Sequence, residues 1–405
     1  MNSSVSATKA SSDFFSAEDV WARRFFNAAS TTFEPMCRVV WCGYRIVAPF
    51  HKFDCRANTV QEVVLRFFYF FEAAALAIPA AVLALVSVPL RCIGWLLQRN
   101  GYTHVRGNLE VKEKIFAATS YRIRVMTFNI AAVPAGISYQ VAGVPHWKAR
   151  IGGIVKVIRE ADPDVLVVEE AYDTAVQEEL VLQLKDRYPH FFLHLGVGAF
   201  GGLGPGGVFM ATKGAVGHFS DHPFHNNPMT QCKSFGVLEL LDKPEGRSFA
   251  RFIGTHPSWR EEEATQREEQ WLQIRDYIGE RNLQILLPTI IVADTNTERD
   301  REEGRELQTW MQPYYVLPAP TCWHKFPLEW KQDDRFKDFG PNRPRQVDNI
   351  MYVRDRDSRV KLVACNRIES YRDDCSTLSD DSRQPFDNKT AISDHHAVLA
   401  EIIFP

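Results

Sequence analysis

From Tyr121 onward, short runs of apolar residues recur along the chain and predict β-strands. The stretch RIRVMTFN alternates apolar and polar positions and ends at Asn129, and DVLVVEE, ARFIGTH, PTIIVAD, RQVDNIMYV and HAVLAEIIF contain comparable runs. Between them lie amphipathic stretches such as HWKARIGGIVKVIREA, which Pro163 follows. Strands that alternate with helices in this way are typical of an α/β fold.

The residues ahead of these strands fall into two regions. Residues 1–62 mix aromatic residues with arginines, and their pattern assigns them no role. Residues 63–99 are strongly apolar, and no charge interrupts the stretch from Ala73 to Leu90. A stretch of this length is a candidate for a membrane helix. We therefore predict a membrane-associating segment over residues 63–99.

Three structures are compatible with the apolar segment. It is a kinked transmembrane helix, a re-entrant or interfacial hairpin bent at Pro79, or a buried helix of a soluble core. Pro79 and Pro89 argue against one straight buried helix, because proline removes a helix hydrogen bond. So long an uncharged run is also unusual for an ordinary surface helix. The pattern favours membrane association.

Polar side chains that can carry chemistry stand at the ends of the predicted strands. They are Asn129, Glu170, His256, Asp294 with Asn296, Asp348, and Asp394 with His395. The ends of strands in α/β sheets are where such proteins place their sites. Each residue alone is compatible with a helix cap or a surface charge, but six recurrences in this order predict one shared site.

The composition narrows the class of protein and its compartment. Apolar and charged fractions of 45% and 24% are those of a globular protein, and a net charge of −3 gives no basic surface for nucleic acid. None of the eight cysteines forms a CxxC pair or a zinc-like cluster, which predicts free thiols in a reducing compartment. The first residues lack the pattern of a cleavable signal peptide.

The ordered motifs TFN, VEEAYD, GTH, ADTNTE, VDNIMY and SDHHA resemble the signature of the endonuclease/exonuclease/phosphatase superfamily over residues 121–405. The resemblance implies a four-layer α/β sandwich, in which two packed mixed sheets carry helices on the outside and share one catalytic face. We therefore expect a catalytic domain over residues 121–405, preceded by an N-terminal hydrophobic helical segment.

Within the superfamily the chain looks most like the neutral sphingomyelinase branch. The stretches EEAYD, GGVFMATKGAV, KSFGVLELL and THPSWREEEATQREEQWLQIRDYI resemble that branch. ADTNTE and RQVDNIMY lack the tryptophan-led form of the inositol phosphatases, and Ala293 stands where the apurinic endonucleases have glycine. Pro257-Ser258-Trp259 departs from the Leu-x-Ala pattern that commonly follows the histidine.

The resemblance also implies a metal site. Glu170 aligns with the glutamate that holds Mg²⁺, with Mn²⁺ as the alternative ion. Asn129 is a supporting ligand or a phosphate contact, and Asp394 belongs to the metal shell. Carboxylate and amide oxygens suit a hard cation of this kind.

The remaining motif residues are expected to move protons and to orient the phosphate. Imidazole titrates near neutral pH, so His395 is expected to act as the general base on water, with Asp348 fixing its tautomer. His256 protonates the leaving group or binds a phosphate oxygen. Asp294 orients water or metal, and Asn296 donates to the phosphoryl group. The acid and base roles of the two histidines can be exchanged.

These expectations lead to three hypotheses of function. The first is Mg²⁺-dependent hydrolysis of sphingomyelin to ceramide and phosphocholine at a membrane. The second is a nuclease, or another phosphodiesterase or phosphatase of the superfamily. The third is an inactive membrane adaptor. The apolar segment and the neutral charge favour a phospholipid partner over nucleic acid, and the complete motif set argues against the adaptor. No pattern indicates an oligomeric state.

Overall fold

The computed structural model describes residues 17–47, 59–98, 101–116, 121–132, 147–196, 206–227, 232–259, 261–297, 302–313, 347–353, 360–368, 393 and 395–404. Its helices are α1 (Ala17–Val47), α2 (Thr59–Leu97), α3 (Trp147–Ala161), α4 (Thr174–Leu184), α5 (Ala264–Gln284) and α6 (Glu302–Trp310). Its strands are β1 (Thr103–Arg106), β2 (Tyr121–Ala132), β3 (Val165–Ala171), β4 (His190–Leu193), β5 (Phe209–Thr212), β6 (Val216–Pro223), β7 (Ser234–Leu241), β8 (Ser248–Thr255), β9 (Thr289–Asp294), β10 (Met311–Pro313), β11 (Asp348–Val353), β12 (Lys361–Ile368) and β13 (Ala397–Phe404).

The strands form two mixed sheets. One has seven strands in the order β1-β4-β5-β3-β2-β13-β12, and the other has six in the order β10-β11-β9-β8-β7-β6. The pairs β2–β3 and β8–β9 are parallel, and the other pairs are antiparallel. The predicted α/β class and the two mixed sheets are therefore confirmed.

The apolar residues of each central strand divide between two layers. In β3, Val165 and Val167 pack between the two sheets, whereas Leu166 and Val168 pack against α3 and α4. Along β9, the even-numbered residues face the other sheet and the odd-numbered ones meet α5. Both faces of each strand are buried, which explains their nearly continuous apolar sequence. The result is the predicted four-layer sandwich.

In this topology several strand ends lie at one edge of the sandwich. The parallel pairs β2–β3 and β8–β9 bring their carboxyl ends there. Antiparallel β13 and β11 bring their amino ends to the same edge, because Val398 pairs with Thr127 and Asp348 pairs with Asp294. We call this the catalytic edge, since it receives every described residue that the motifs singled out.

Helices α1 and α2 lie side by side and antiparallel. Arg66 near the start of α2 donates to the carbonyl of Ile46 at the end of α1, at 2.9 Å. Arg38 and Glu72 form an ion pair farther along, at 2.6 Å. We call this pair of helices the hairpin.

Small residues on α2 allow α1 to approach closely. Ala80, Ser87 and Gly94 are buried and follow one another at intervals of seven residues. A Cβ atom at Gly94 would lie 3.1 Å from the ring of Phe26 in α1. Small residues at a helix–helix contact permit tight packing in lipid and in water alike.

The hairpin contacts the sandwich through α1. The ring of Phe26 lies 4.8 Å from that of the buried His194, and Arg23 pairs with Glu178 of α4. Ser30 accepts a hydrogen bond from the hydroxyl of Thr174. Helix α1 therefore lies between most of α2 and the sandwich.

The predicted hydrophobic helix is one continuous helix with an exposed surface. Helix α2 runs through Pro79 and Pro89, so a hairpin bent at Pro79 does not describe it. Residues Arg66–Leu97 are long and apolar enough to cross a membrane, and their apolar window of 18 residues has a mean hydropathy of 2.3. Only 11% of the apolar window is buried inside the structure.

The sheets extend further toward the amino terminus than the predicted catalytic domain. Strand β1 pairs with β4 from Thr103 to Arg106, and Tyr102 and Phe116 belong to the core between the sheets. We therefore propose that the folding unit of the sandwich begins ahead of residue 121. The boundaries at residues 62 and 99 stay predictions.

Candidate active site

Two carboxylates face each other where β9 ends and β11 begins. Asp294 and Asp348 are direct cross-strand partners, and both are buried. Like charges in such a pair repel unless a positive group compensates them. His395, just ahead of β13, supplies a partner: its Nδ1 lies 2.9 Å from one oxygen of Asp348 and 3.1 Å from the other. Because an ionised carboxylate only accepts, Nδ1 carries the proton, and Nε2 of a neutral ring then carries the lone pair.

Asp294 occupies the centre of the candidate site. Its Oδ2 accepts from the amide of Asn129 at 2.9 Å, and its Oδ1 accepts from the backbone N–H of Asn296 at 2.9 Å. Burial alone would raise the pKa of Asp294, but His395, His256 and these hydrogen bonds outweigh it and lower the pKa. Asp294 is therefore held as a carboxylate in a buried position.

His256 and Glu170 complete the group around Asp294. Nε2 of His256 lies 3.6 Å from Oδ2 of Asp294 and 3.8 Å from Oε1 of Glu170. This Nε2 is buried and has no hydrogen-bond partner among the described residues. Burial, reinforced by Lys233, lowers the pKa of His256 well below its ordinary value. The imidazole is therefore neutral, with one nitrogen directed at the space between two carboxylates.

Residues at the catalytic edge adopt backbone conformations that are rare outside glycine. Glu170 has a φ of 56° and Asn296 has a φ of 50°. Such conformations are uncommon for a glutamate, and they concentrate at functional sites. The amide of Asn296 also donates to the carbonyl of Pro257 at 3.1 Å. These contacts fix the loop that follows β9 beside the one that follows β8.

The side chain of the neighbouring Glu169 has a different hydrogen-bond partner. Its Oε1 accepts from the hydroxyl of Thr127 at 2.5 Å, and its side chain is fully buried. Burial raises the pKa of Glu169 well above its ordinary value. Of the two adjacent glutamates, only Glu170 lies beside His256.

The sequence reasoning gave no role to Lys233, which the structure places in the site. Its ammonium is buried and donates to the carbonyls of His256 at 3.0 Å and Pro257 at 2.7 Å. Burial lowers its pKa to about 8, against the opposing influence of Glu170 and Asp294. A lysine directly ahead of the fully buried strand β7 was the available signal, because lysine is seldom buried.

Tyr172 is the second residue without a predicted role. Its hydroxyl lies 3.2 Å from Nδ1 of His256. Burial, followed by the nearby Glu170, raises the pKa of Tyr172 well above its ordinary value. The sequence showed only an aromatic residue two positions after the motif glutamate, without indicating its contact.

Most of the predicted site residues meet at the catalytic edge. Those that the structure brings together are Asn129, Glu170, His256, Asp294, Asn296, Asp348 and His395. Asp394 lies outside the described residues. These contacts show that the residues lie close together. The chemical role of each residue stays a prediction.

The side chains at this edge can hold a metal ion. Glu170, His256 and Asp294 form one group with ligand atoms within 4.8 Å of one another, and Asp294, Asp348 and His395 form a second. Oxygen-rich donor sets of this kind suit hard divalent cations. The buried Nε2 of His256, which has no hydrogen-bond partner in the described part of the chain, also fits a polar occupant at this position. A cation held here would neutralise an anion, and the Nε2 atoms of His256 and His395 lie 3.6 Å and 3.9 Å from the same oxygen of Asp294.

Comparisons with known proteins agree with the fold and the motif order. The model of the Endonuclease/Exonuclease/phosphatase family matches residues 126–395. No curated protein matches the sequence. Similar solved structures include a sphingomyelinase C from Streptomyces griseocarneus, with 19% identity, a TM-score of 0.51 and coverage of 69% of this chain and 99% of that one.

Two further structures show how broad this group is. The beta toxin of Staphylococcus aureus has 18% identity and a TM-score of 0.53, covering 69% of this chain and 99% of its own. A mannosyl-6-phosphatase from Bacteroides thetaiotaomicron has 14% identity and a TM-score of 0.51, covering 70% of this chain and 100% of its own. At these identities the similarity shows the fold, and the substrate has to be argued from this chain.

Proposed function

Because the chain belongs to the endonuclease/exonuclease/phosphatase family, whose members hydrolyse phosphoester bonds, we propose that it is a Mg²⁺-dependent sphingomyelin phosphodiesterase. The products are ceramide and phosphocholine. Mn²⁺ is an alternative ion.

The proposal of a lipid substrate rests on the position of the hairpin relative to the catalytic edge. Helix α1 meets the sandwich at the first residues of α3 and α4, where Glu34 pairs with Lys148 at 3.3 Å and Ser30 meets Thr174. Helix α4 begins at Thr174, three residues after β3 ends. The hairpin is thus attached beside the strand end that carries Glu170, so a membrane bound by α2 would lie close to the site.

The metal would be held by Glu170 and Asp294, with Asn129 orienting Asp294 through its amide. By resemblance Asp394 would complete the shell. When bound, a divalent cation supplies positive charge that neutralises the phosphoryl oxygens. A carboxylate on a strand end and another on the facing sheet can hold that charge in place without rearrangement of the backbone.

The two histidines have different roles, one in taking a proton from water and one in donating to an oxygen of the substrate. His395 takes a proton from water through Nε2, because Asp348 accepts the hydrogen bond from Nδ1 and fixes the tautomer. His256 faces the same space from the other side and donates to the leaving oxygen or to a phosphoryl oxygen. Asn296 has a second amide N–H beyond the one given to Pro257, and that N–H can contact the phosphoryl group.

A panel of phosphoesters tests this proposal. The full-length protein is incubated with Mg²⁺, or with EDTA, and with sphingomyelin vesicles, phosphatidylcholine vesicles, supercoiled plasmid or mannose 6-phosphate, and the products are identified by mass spectrometry. We expect Mg²⁺-dependent phosphocholine and ceramide from sphingomyelin. Plasmid nicking without phosphocholine release would favour the nuclease alternative, and no turnover of any substrate would favour the inactive adaptor.

A further inference from the structure

The two ring nitrogens of His256 have different surroundings. On the Nδ1 side, the hydroxyl of Tyr172 lies at 3.2 Å and the ammonium of Lys233 at 3.3 Å. On the Nε2 side, carboxylate oxygens of Asp294 and Glu170 lie at 3.6 Å and 3.8 Å. Both of these distances exceed a hydrogen bond, so the buried Nε2 has no hydrogen-bond partner among the described residues.

The contacts of Lys233 determine which nitrogen of His256 carries the proton. An ammonium has three N–H donors and no acceptor. The carbonyls of His256 and Pro257 accept two of these donors, and the remaining contact is the one with Nδ1. Nδ1 must therefore present its lone pair, because an N–H there would oppose an ammonium N–H. A neutral ring with a lone pair on Nδ1 has its proton on Nε2.

The hydroxyl of Tyr172 reaches the same lone pair from a fixed position. Its ring lies against Gly207, where a Cβ atom would come within 2.6 Å of the ring. Gly207 has a φ of +82°, a conformation that other residues adopt with strain. The glycine therefore leaves the space that the tyrosine ring fills, and the hydroxyl is aimed at Nδ1.

We propose that Tyr172 is a positioning residue that, with Lys233, holds His256 in the tautomer with its proton on Nε2. This N–H lies beside the carboxylates of Glu170 and Asp294 and donates a hydrogen bond to a phosphoryl oxygen of the substrate. The substrate part of the inference rests on the proposed function. Two roles are open to His256: it protonates the leaving group, or it binds a phosphate oxygen. A neutral ring that donates from Nε2 fits the second role.

Nitrogen NMR of the full-length protein tests the tautomer without metal or substrate. Histidines are labelled with ¹⁵N in detergent micelles, and the His256 signals are assigned by their loss in His256→Gln. We expect a protonated Nε2 and an unprotonated Nδ1. In Lys233→Met we expect the proton to redistribute between the two nitrogens, because methionine donates no hydrogen bond. A protonated Nδ1 in the wild-type protein would overturn the inference, whatever the substrate proves to be.

Tyr172→Phe isolates the contribution of the hydroxyl. We expect the Nδ1 resonance of His256 to shift and kcat on detergent-dispersed sphingomyelin to fall about tenfold, at an unchanged KM, since one neutral hydrogen bond is lost. Tyr188→Phe is the matched control, because the buried hydroxyl of Tyr188 donates to the carbonyl of Pro163 instead. An unchanged Nδ1 resonance in Tyr172→Phe would contradict the role of Tyr172 even if the protein hydrolyses sphingomyelin. A shifted resonance in a protein without that activity would refute the proposed substrate and leave the tautomer in place.

Discussion

The catalytic edge buries charged groups, whereas the hairpin exposes apolar ones. Asp294, Asp348 and Lys233 are all nearly inaccessible to solvent. In α2, by contrast, Ile78 is 78% exposed and Leu85 is 73% exposed. The two regions depart in opposite directions from the ordinary distribution of residues in a soluble protein.

Because of this difference, the two regions require different partners to be stable. Buried charges are unfavourable unless other charges or a metal compensate them, and the edge combines three such groups with two histidines. An exposed apolar helix is unfavourable in water and favourable in lipid. A phosphoester at a membrane surface would supply both partners at once. The substitutions at Glu170, at the histidines and in α2 each change one region while leaving the other intact.

The largest effect is expected from removing the charge of Glu170. Glu170→Gln should reduce turnover to background while the protein stays folded, because a ligand charge is lost at a partly exposed strand end. Phosphocholine release at limiting Mg²⁺ measures the effect, and circular dichroism checks the fold. Glu169→Gln is the matched control and should keep its activity, because glutamine retains an oxygen that can accept the hydrogen bond from Thr127. Near wild-type activity in Glu170→Gln would refute its assignment as a ligand.

The histidines should give the next largest effect. His256→Ala and His395→Ala should each lower kcat by roughly 10²–10⁴-fold, the range for a positioned proton-transfer group or phosphate contact. Asp348 acts through His395, at 2.9 Å, so Asp348→Asn combined with His395→Ala should be no slower than His395→Ala alone. Steady-state kinetics measures kcat for each variant. If the losses in kcat multiply in the double variant, Asp348 does not act through His395.

A change confined to the hairpin should affect membranes without affecting chemistry. Ile78→Asp combined with Leu85→Asp places two charges on the exposed face of α2, each unfavourable in lipid by about 3 kcal/mol. We expect activity on vesicles to fall at least tenfold and activity on detergent-dispersed substrate to persist. Leu283→Asp is the control, since Leu283 is also highly exposed but lies on α5. Equal activity of both variants on vesicles would exclude α2 as the membrane contact.

The smallest effect concerns Asp221, a buried carboxyl without the compensation seen at the catalytic edge. It accepts from the backbone N–H of Gly196 at 2.8 Å, and no ion pair involves it among the described residues. Burial raises its pKa to about 7. A raised folded pKa contributes stability below the unfolded value near 4, and this stability is lost as the pH rises through 7.

Asp221→Asn should remove this dependence. The free energy of unfolding of the wild type should decrease by about 4 kcal/mol relative to the variant between pH 4 and pH 8, because the pKa is raised from 3.8 to about 7. Urea denaturation across this range provides the measurement. Parallel pH profiles for the two proteins would show that Asp221 is not an uncompensated buried charge.

Much of the fold and the candidate site was predictable, because local runs of apolar residues indicate where strands end. The apolar run before Glu170 predicted β3, and the run before Asp294 predicted β9. Once these strands lie in two packed sheets, their ends must meet. The long apolar run likewise predicted the helix that became α2.

The remainder depends on contacts between distant parts of the chain. Strand β1 has only four residues and is defined by its pairing with β4, so no periodicity revealed it. The position of Lys233 at His256 depends on how β7 and β8 pair, and the contact of Tyr172 depends on the space beside Gly207. A single sequence shows such residues but not the side chains that they meet.

The central claim is that the catalytic edge and the hairpin serve one reaction at one membrane surface. The most direct test measures phosphocholine release from sphingomyelin vesicles and the vesicle-bound fraction of protein in the same sample, by flotation, with Mg²⁺ or EDTA. We expect release to require Mg²⁺ and to follow the bound fraction in the wild type, in Leu283→Asp and in the Ile78→Asp/Leu85→Asp variant. Full release by unbound protein, or bound protein without Mg²⁺-dependent release, would contradict the account.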